Sequence, residues 1–189
     1  MRGNGSSGKP RKRQVREPLD EAALYQYAVR SLGRKMRTVA ELKRLMRLRV
    51  EPGEAGEAKM NAVVERLTEQ QYLNDTRYAA DYTRIRQENE RFGRRRVQQE
   101  LARRGVQGDI VETALDAAYA ELPEQELAQR YIARKRLQKP TNEKETARVV
   151  RSLVRAGFSL GTVFALLKAW KVDDGPLESI FDADIDASQ

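Results

Sequence analysis

Apolar residues recur along this chain at intervals of three and four, the spacing of one face of an α-helix, and no segment shows the strict alternation of a half-buried strand. Tyr78, Ala79, Tyr82 and Ile85 form one such stripe, and Leu127, Tyr131 and Ile132 another. The strongest pattern is a repeat: Val97, Leu101, Gly105, Val106 and Leu115 lie beside Val149, Leu153, Gly157, Phe158 and Leu167, and the first four pairs are each 52 residues apart. Each block reads as an amphipathic helix, a glycine stop, an apolar residue and a second helix. A weaker first copy has Leu42 and Met46 at the same four-residue spacing, then an insertion at 51–57, then Val63, Val64 and Leu67.

Capping signals place the helix starts. Thr38 with Glu41 and Asn142 with Glu145 have the capping-box spacing, in which a side-chain oxygen accepts from a free amide three residues on and the carboxylate reaches back. Asp20, Asp75 and Asp109 precede further apolar stripes, and Pro123 sits where a first-turn proline is tolerated. Gly105 and Gly157 end helices at the position that favours left-handed backbone. The prediction is an all-α protein of three tandem three-helix repeats at 19–73, 74–121 and 122–171, with 51–57 as the insertion in the first. A unit of that size buries little surface alone, so neighbours should stack into an elongated, curved array.

Composition narrows the function. Histidine and cysteine are both absent, which excludes disulfides, Cys/His metal sites, a cysteine nucleophile and a histidine base. No serine has a credible base beside it, no glycine-rich phosphate loop appears, and acids cluster only beyond residue 171, so no enzyme activity, metal or cofactor is expected. No apolar run approaches a membrane span and the start of the chain has no secretory pattern, which predicts a cytoplasmic protein without a membrane partner. Lys plus Arg total 36 against 28 acids, a net charge of +8, and that balance favours a polyanionic partner.

The positive charge is clustered. Thr83–Gly105 carries Arg84, Arg86, Arg91, Arg94, Arg95, Arg96, Arg103 and Arg104 against three glutamates, a net of +5. Phe92-Gly93 breaks two helices there, and the exposed start of the second would set Arg94, Arg95 and Arg96 beside free amides, a ready anion site. A second patch holds Arg130, Arg134, Lys135 and Arg136, with Lys139, Lys144 and Tyr131. A third holds Arg30, Arg34, Lys35, Arg37, Lys43, Arg44, Arg47 and Arg49. One patch per unit could track a repeating polyanion; each alone also fits a solvated face with local salt bridges, such as Glu100 with Arg96 or Arg104. Tyr78, Tyr82, Tyr119 and Tyr131 could stack bases, but their spacing with Ala and Ile suits a core, as does that of Trp170. Residues 1–18 read as a disordered basic arm of net +5, either a leader or a phosphate-touching segment. Residues 172–189 form an acidic tail; 171–189 carry net −5 with Leu177, Ile180, Phe181 and Ile185 interleaved, either a solvated end or a segment folded back on basic surface.

Over about 20–170 the chain resembles the RecX family, bacterial regulators of the RecA recombinase. The resemblance is carried by Tyr72-Leu73-Asn74-Asp75-Thr76-Arg77-Tyr78-Ala79, then Gly93-Arg94-Arg95-Arg96-Val97, then Glu100-Leu101-Ala102-Arg103-Arg104-Gly105-Val106, in that order. The 51–57 insertion, the basic arm and the acidic tail depart from the family core. The resemblance implies tandem three-helix repeats and binding along the groove of a RecA filament on single-stranded DNA. There the protein would block filament growth or promote disassembly, restraining ATP turnover, strand exchange and co-protease function. Single-stranded DNA, and duplex DNA in some relatives, would be further partners, and a monomer is expected. The family motifs designate no catalytic residue. Tyr72, Leu73, Asp75 and Tyr78, with Gly93, Leu101 and Gly105, read as structural: an inter-unit junction, a helix cap and core. The arginines are assigned to contact on charge. A stand-alone helical DNA-binding or architectural protein remains the alternative reading.

Overall fold

The computed structural model describes residues 17–172, and among them every regular element is helical. Unit 1 contains α1 (Glu21–Arg34), α2 (Val39–Met46) and α3 (Glu54–Glu69). Unit 2 contains α4 (Asp75–Ile85), a π-helical turn (Arg86–Glu90), α5 (Arg94–Arg103) and α6 (Gly108–Tyr119). Unit 3 contains α7 (Glu124–Lys135), α8 (Glu143–Arg155) and α9 (Leu160–Ala169). The basic arm to residue 16 and the acidic tail from residue 173 lie outside the described residues.

The repeat is a packing rule. Val97, Leu101, Val106 and Leu115 are buried, and so are Val149, Leu153, Phe158 and Leu167. Gly105 and Gly157 have φ of +77° and +91°, the left-handed backbone that turns each middle helix into the next. Leu42 and Met46 fill the same role in unit 1. Units 2 and 3 share one continuous core, whereas unit 1 has its own, built on Leu24, Leu42, Met46, Met60, Val63, Leu67 and Leu73.

Successive units meet by one device. The N-cap residue of a middle helix bonds to the carbonyl of the residue ending the next unit's middle helix. Thr38 Oγ1 donates to the Arg104 carbonyl at 2.7 Å, and the Gly93 amide donates to the Ala156 carbonyl at 2.8 Å. The following glycine then lies against the start of the earlier helix. A Cβ added at Gly105 would sit 2.4 Å from the Ala40 Cβ, and one at Gly157 would sit 2.4 Å from the Arg96 amide nitrogen.

Several expectations are corrected. Asp75 does not cap its own helix: Asn74 does, accepting from the Arg77 amide at 2.8 Å. Asp75 Oδ1 instead accepts from the Val39 amide at 3.0 Å, covering the start of α2 in the neighbouring unit. Thr38 caps as expected, but Glu41 turns away to pair with Arg104 at 2.9 Å. Asn142 caps α8, and Glu145 reaches back to Thr141 rather than to Asn142. Gln107, not Asp109, occupies the N-cap position of α6, and Pro123 occupies that of α7 rather than its first turn. Within the 51–57 insertion, Glu54 starts α3 directly after Gly53. Leu73 is buried, but Tyr72 is 63% exposed and carries no junction. Ile85, at 46%, leaves the apolar stripe where α4 widens into the π turn.

Candidate polyanion-binding face

Burial of Val97 and Leu101 fixes the rotation of α5 and so decides where each arginine goes. Most of them are consumed by ion pairs. Arg94 bonds Glu112 at 2.6 Å and Asp116 at 2.7 Å. Arg96 and Arg86 each reach Glu100 at 3.1 Å, and the Tyr82 hydroxyl donates to the same carboxylate at 2.6 Å. Burial pushes the Glu100 carboxyl upward, but the Tyr82 hydroxyl and the two guanidiniums outweigh it and hold it below the usual carboxylate range. Arg96 also lies over the Phe92 ring, 3.8 Å from its centroid, and donates to the Arg155 carbonyl. Arg104 pairs with Glu41, and Arg84 with Asp81 and Glu88. The Arg84 and Arg94 pairs are exposed and contribute little stability, so their effect is to orient side chains, whereas Glu100 and Glu41 are mostly buried in theirs.

The start of α5 is not an open anion site. The Ala156–Phe158 turn lies on it: a Cβ at Gly93 would fall 2.4 Å from the Gly157 carbonyl oxygen, and that turn also covers the Arg96 amide. Of the three arginines expected to crown it, only Arg95 is exposed and outside an ion pair among the described residues. Arg91, at φ +58°, and Arg103 likewise have none among the described residues.

The structure adds residues that the sequence reading passed over. Arg148, Arg151 and Arg155 are exposed on α8, three and four residues apart. The 52-residue offset places Arg155 opposite Arg103 and Arg148 opposite Arg96, so the repeat itself held the signal. Arg103 and Arg155 flank a groove of about 560 Å³ between α5 and the α8–α9 turn, with Arg95, Val154 and Leu160 along it. The result is a cationic rim that crosses from unit 2 to unit 3.

The other patches are less available. Arg130 pairs with Glu126, Arg134 meets Glu90, and Lys135 lies over Tyr131, leaving Arg136 exposed. In unit 1, Arg47 pairs with Glu57, Lys43 bonds Asn61, Arg37 bonds Ser31 and Arg44 reaches the Arg103 carbonyl, while Arg30, Arg34 and Lys35 are exposed at the end of α1. The tyrosines do not form a stacking platform: Tyr78 and Tyr131 are buried, and the Tyr119 hydroxyl donates to the Phe92 carbonyl. Trp170 is half-buried against the core of units 2 and 3.

Glu124 accepts from the Ser159 hydroxyl and from Thr162, a serine–carboxylate pairing that invites a catalytic reading. Burial raises this carboxyl, but the Ser159 and Thr162 bonds overcome it and hold the group below its ordinary range. A carboxylate so stabilised is a poor base, and the cluster clasps the start of α9 to α7. Among the described residues no group of acids is placed to hold a metal ion, and no helix is long and apolar enough to cross a membrane.

Residues 74–115 match the family model described as RecX, second three-helix domain. The chain is 32% identical over 141 residues to regulatory protein RecX of Leptothrix cholodnii, covering 75% of this chain and 85% of the relative. It is 33% identical over 146 residues to the protein of that name from Thermus thermophilus, covering 77% and 89%. The crystal structure of RecX from Lactobacillus salivarius superposes with a TM-score of 0.59 over 80% of this chain and 96% of that one, at 21% identity, a likeness of fold.

Proposed function

The chain belongs to the RecX family of regulatory proteins, and from that premise we propose that it binds the RecA filament on single-stranded DNA and restrains the recombinase. It does so by blocking filament growth or promoting disassembly, and acts without catalytic residues, metal or cofactor. The observation that carries this reading is the cationic rim of Arg95, Arg103 and Arg155 at the junction of units 2 and 3, with Arg148 and Arg151 exposed on the same helix as Arg155. Guanidinium groups on a fixed helical frame suit phosphates or carboxylates arranged periodically. Arg84, Arg86, Arg94, Arg96 and Arg104 hold the frame, and Arg91 and Arg136 are further contact candidates.

The test is the ATPase rate of RecA on single-stranded DNA, titrated with this protein, beside binding to the same DNA alone. Inhibition well below the concentration that coats bare DNA is the expected result. Inhibition only at coating concentrations would make the protein a stand-alone DNA binder, and unchanged ATPase at saturation would overturn both readings. Charge reversal at Arg103 and Arg155, which form no salt bridge among the described residues, should abolish inhibition while far-UV circular dichroism stays helical. Reversal at Arg94 and Arg96 would instead break the ion pairs that hold α5.

A further inference from the structure

The groove between α5 and the α8–α9 turn is cationic at its rim and apolar along its floor. Val154 and Leu160 remain 38% and 37% exposed there beside Gly157 and Phe158, and Glu100, the acid of the lining, is already paired with Arg86 and Arg96. A phosphate backbone satisfies the arginines but has nothing to cover the aliphatic floor. A ligand that uses both parts needs carboxylates interleaved with aliphatic or aromatic side chains. Residues 173–189 have that composition: Asp173, Asp174, Glu178, Asp182, Asp184 and Asp186, no basic residue, and Leu177, Ile180, Phe181 and Ile185 between them.

The chain path brings the segment within reach. Leu160, at the groove, is the first residue of α9, and the described chain stops at Val172 just past the other end of that helix. At about 1.5 Å per residue the way back along α9 is roughly 18 Å, a distance that six extended residues cover. Residues from Leu177 onward, which carry the apolar side chains and four of the six acids, are therefore within reach of the groove.

We propose that this groove is a binding site for an acidic, apolar peptide, and that its occupant is residues 173–189 of the same chain. Leu177, Ile180 and Phe181 cover the floor formed by Val154 and Leu160, and the acids lie against Arg95, Arg103 and Arg155. Docked there, the segment competes with an external polyanion for the same guanidiniums. The competition rests on the polyanion-binding reading above; the docking does not.

The absence of cysteine from the chain makes docking directly testable. In the full chain, Gln99→Cys on the groove is paired with Ser179→Cys in the acidic segment; the control pairs Glu21→Cys, on α1, with Ser179→Cys. With oxidised glutathione as the two-electron oxidant, the groove pair should form an intramolecular disulfide at least about tenfold faster than the control, at a rate independent of protein concentration. Adding Arg103→Glu and Arg155→Glu should remove the advantage. Equal rates for the two pairs would overturn the docking, and a rate that climbs with concentration would assign the groove to a second copy of the chain. For the competition, Leu177→Ser, Ile180→Ser and Phe181→Ser release the segment without altering net charge, and affinity for oligothymidylate should rise about fivefold or more. Unchanged affinity would overturn the competition. No oligothymidylate binding by either form would overturn it together with direct DNA binding, while the disulfide result would still stand.

Discussion

The junction between units 1 and 2 and the junction between units 2 and 3 use the same cap-to-carbonyl bond, yet they are made of different material. At the first, polar groups meet: Thr38 with the Arg104 carbonyl, the Val39 amide with Asp75, and Arg104 with Glu41, whose Oε2 is buried without a hydrogen-bond partner among the described residues. At the second, two glycines let backbones touch, and Tyr131 lies against Phe158 edge to face at 5.6 Å and tilted to Phe92 at 6.5 Å. Hydrogen bonds that replace water contribute modestly, whereas burial of apolar surface is the dominant favourable term. The first junction is therefore an orienting seam between two cores, and the second fuses two units into one cooperative body.

The largest test of this contrast is Phe158→Ala. It removes a fully buried ring from the shared core and should cost about 4 kcal/mol. Loss of structure in urea should then run through α4–α9 together, with the amides of α1–α3 keeping their hydrogen-exchange protection. Loss of α1–α3 in the same step would break the comparison. Next is Gly157→Ala, where a left-handed backbone and a Cβ only 2.4 Å from the Arg96 nitrogen combine. It should lower the unfolding free energy by about 3 kcal/mol. Gly105→Ala, also at a left-handed position, meets the Ala40 Cβ at the same 2.4 Å and should cost a comparable amount, about 2–3 kcal/mol, read at the polar seam as faster exchange in α2.

A smaller and more local effect is expected for Thr38→Val combined with Asp75→Ala, which together remove the side-chain oxygens of both bonds. Loss of these bonds should cost about 1–2 kcal/mol, read as faster amide exchange in unit 1 with units 2 and 3 unchanged. The smallest effect is pH dependence, and it should have opposite signs at the two places. Glu100 titrates below its ordinary 4.5 when folded, so the unfolded chain takes up the proton first as pH falls. The stability it contributes is present above that value and lost below it. Asp75 is pushed above its ordinary 3.8, burial outweighing the bond from the Val39 amide. Its contribution favours the folded state at low pH and is lost as pH rises through 3.8 towards the folded value. As pH falls from about 5 to 3, amide exchange should therefore quicken where α5 meets α4 and the π turn, and not at the start of α2, and Glu100→Gln should flatten the first response.

The fold was largely legible in the sequence because its determinants are local. Spacing marked the helix faces, and Gly105 and Gly157 marked their ends. What escaped depends on contacts across the chain. Asp75 has the chemistry of a cap, but only tertiary structure reveals that the helix it serves is α2. The arginines of 84–104 count as eight positive charges in a row of letters, and the local Glu100–Arg96 pair was legible there, yet Glu41, Glu112 and Asp116 claim Arg104 and Arg94 from other elements and Glu100 also takes Arg86 across the Phe92-Gly93 break. Arg155 was visible through its 52-residue relation to Arg103, had the repeat been followed for charge as well as for apolar positions.

The polar seam bears on residence time. In the proposed role, two bodies joined by a connection that opens more readily than either core, with exposed arginines on each (Arg30 and Arg34 on the first, Arg103 and Arg155 on the second), would make a bivalent ligand for a periodic target. When one body lifts off, the other keeps it at high local concentration, and it rebinds before the whole molecule escapes. Dissociation should then slow far more than the affinity of either body alone implies. A crosslink across Thr38 and Arg104, by forcing both bodies to leave together, would convert stepwise release into a single event.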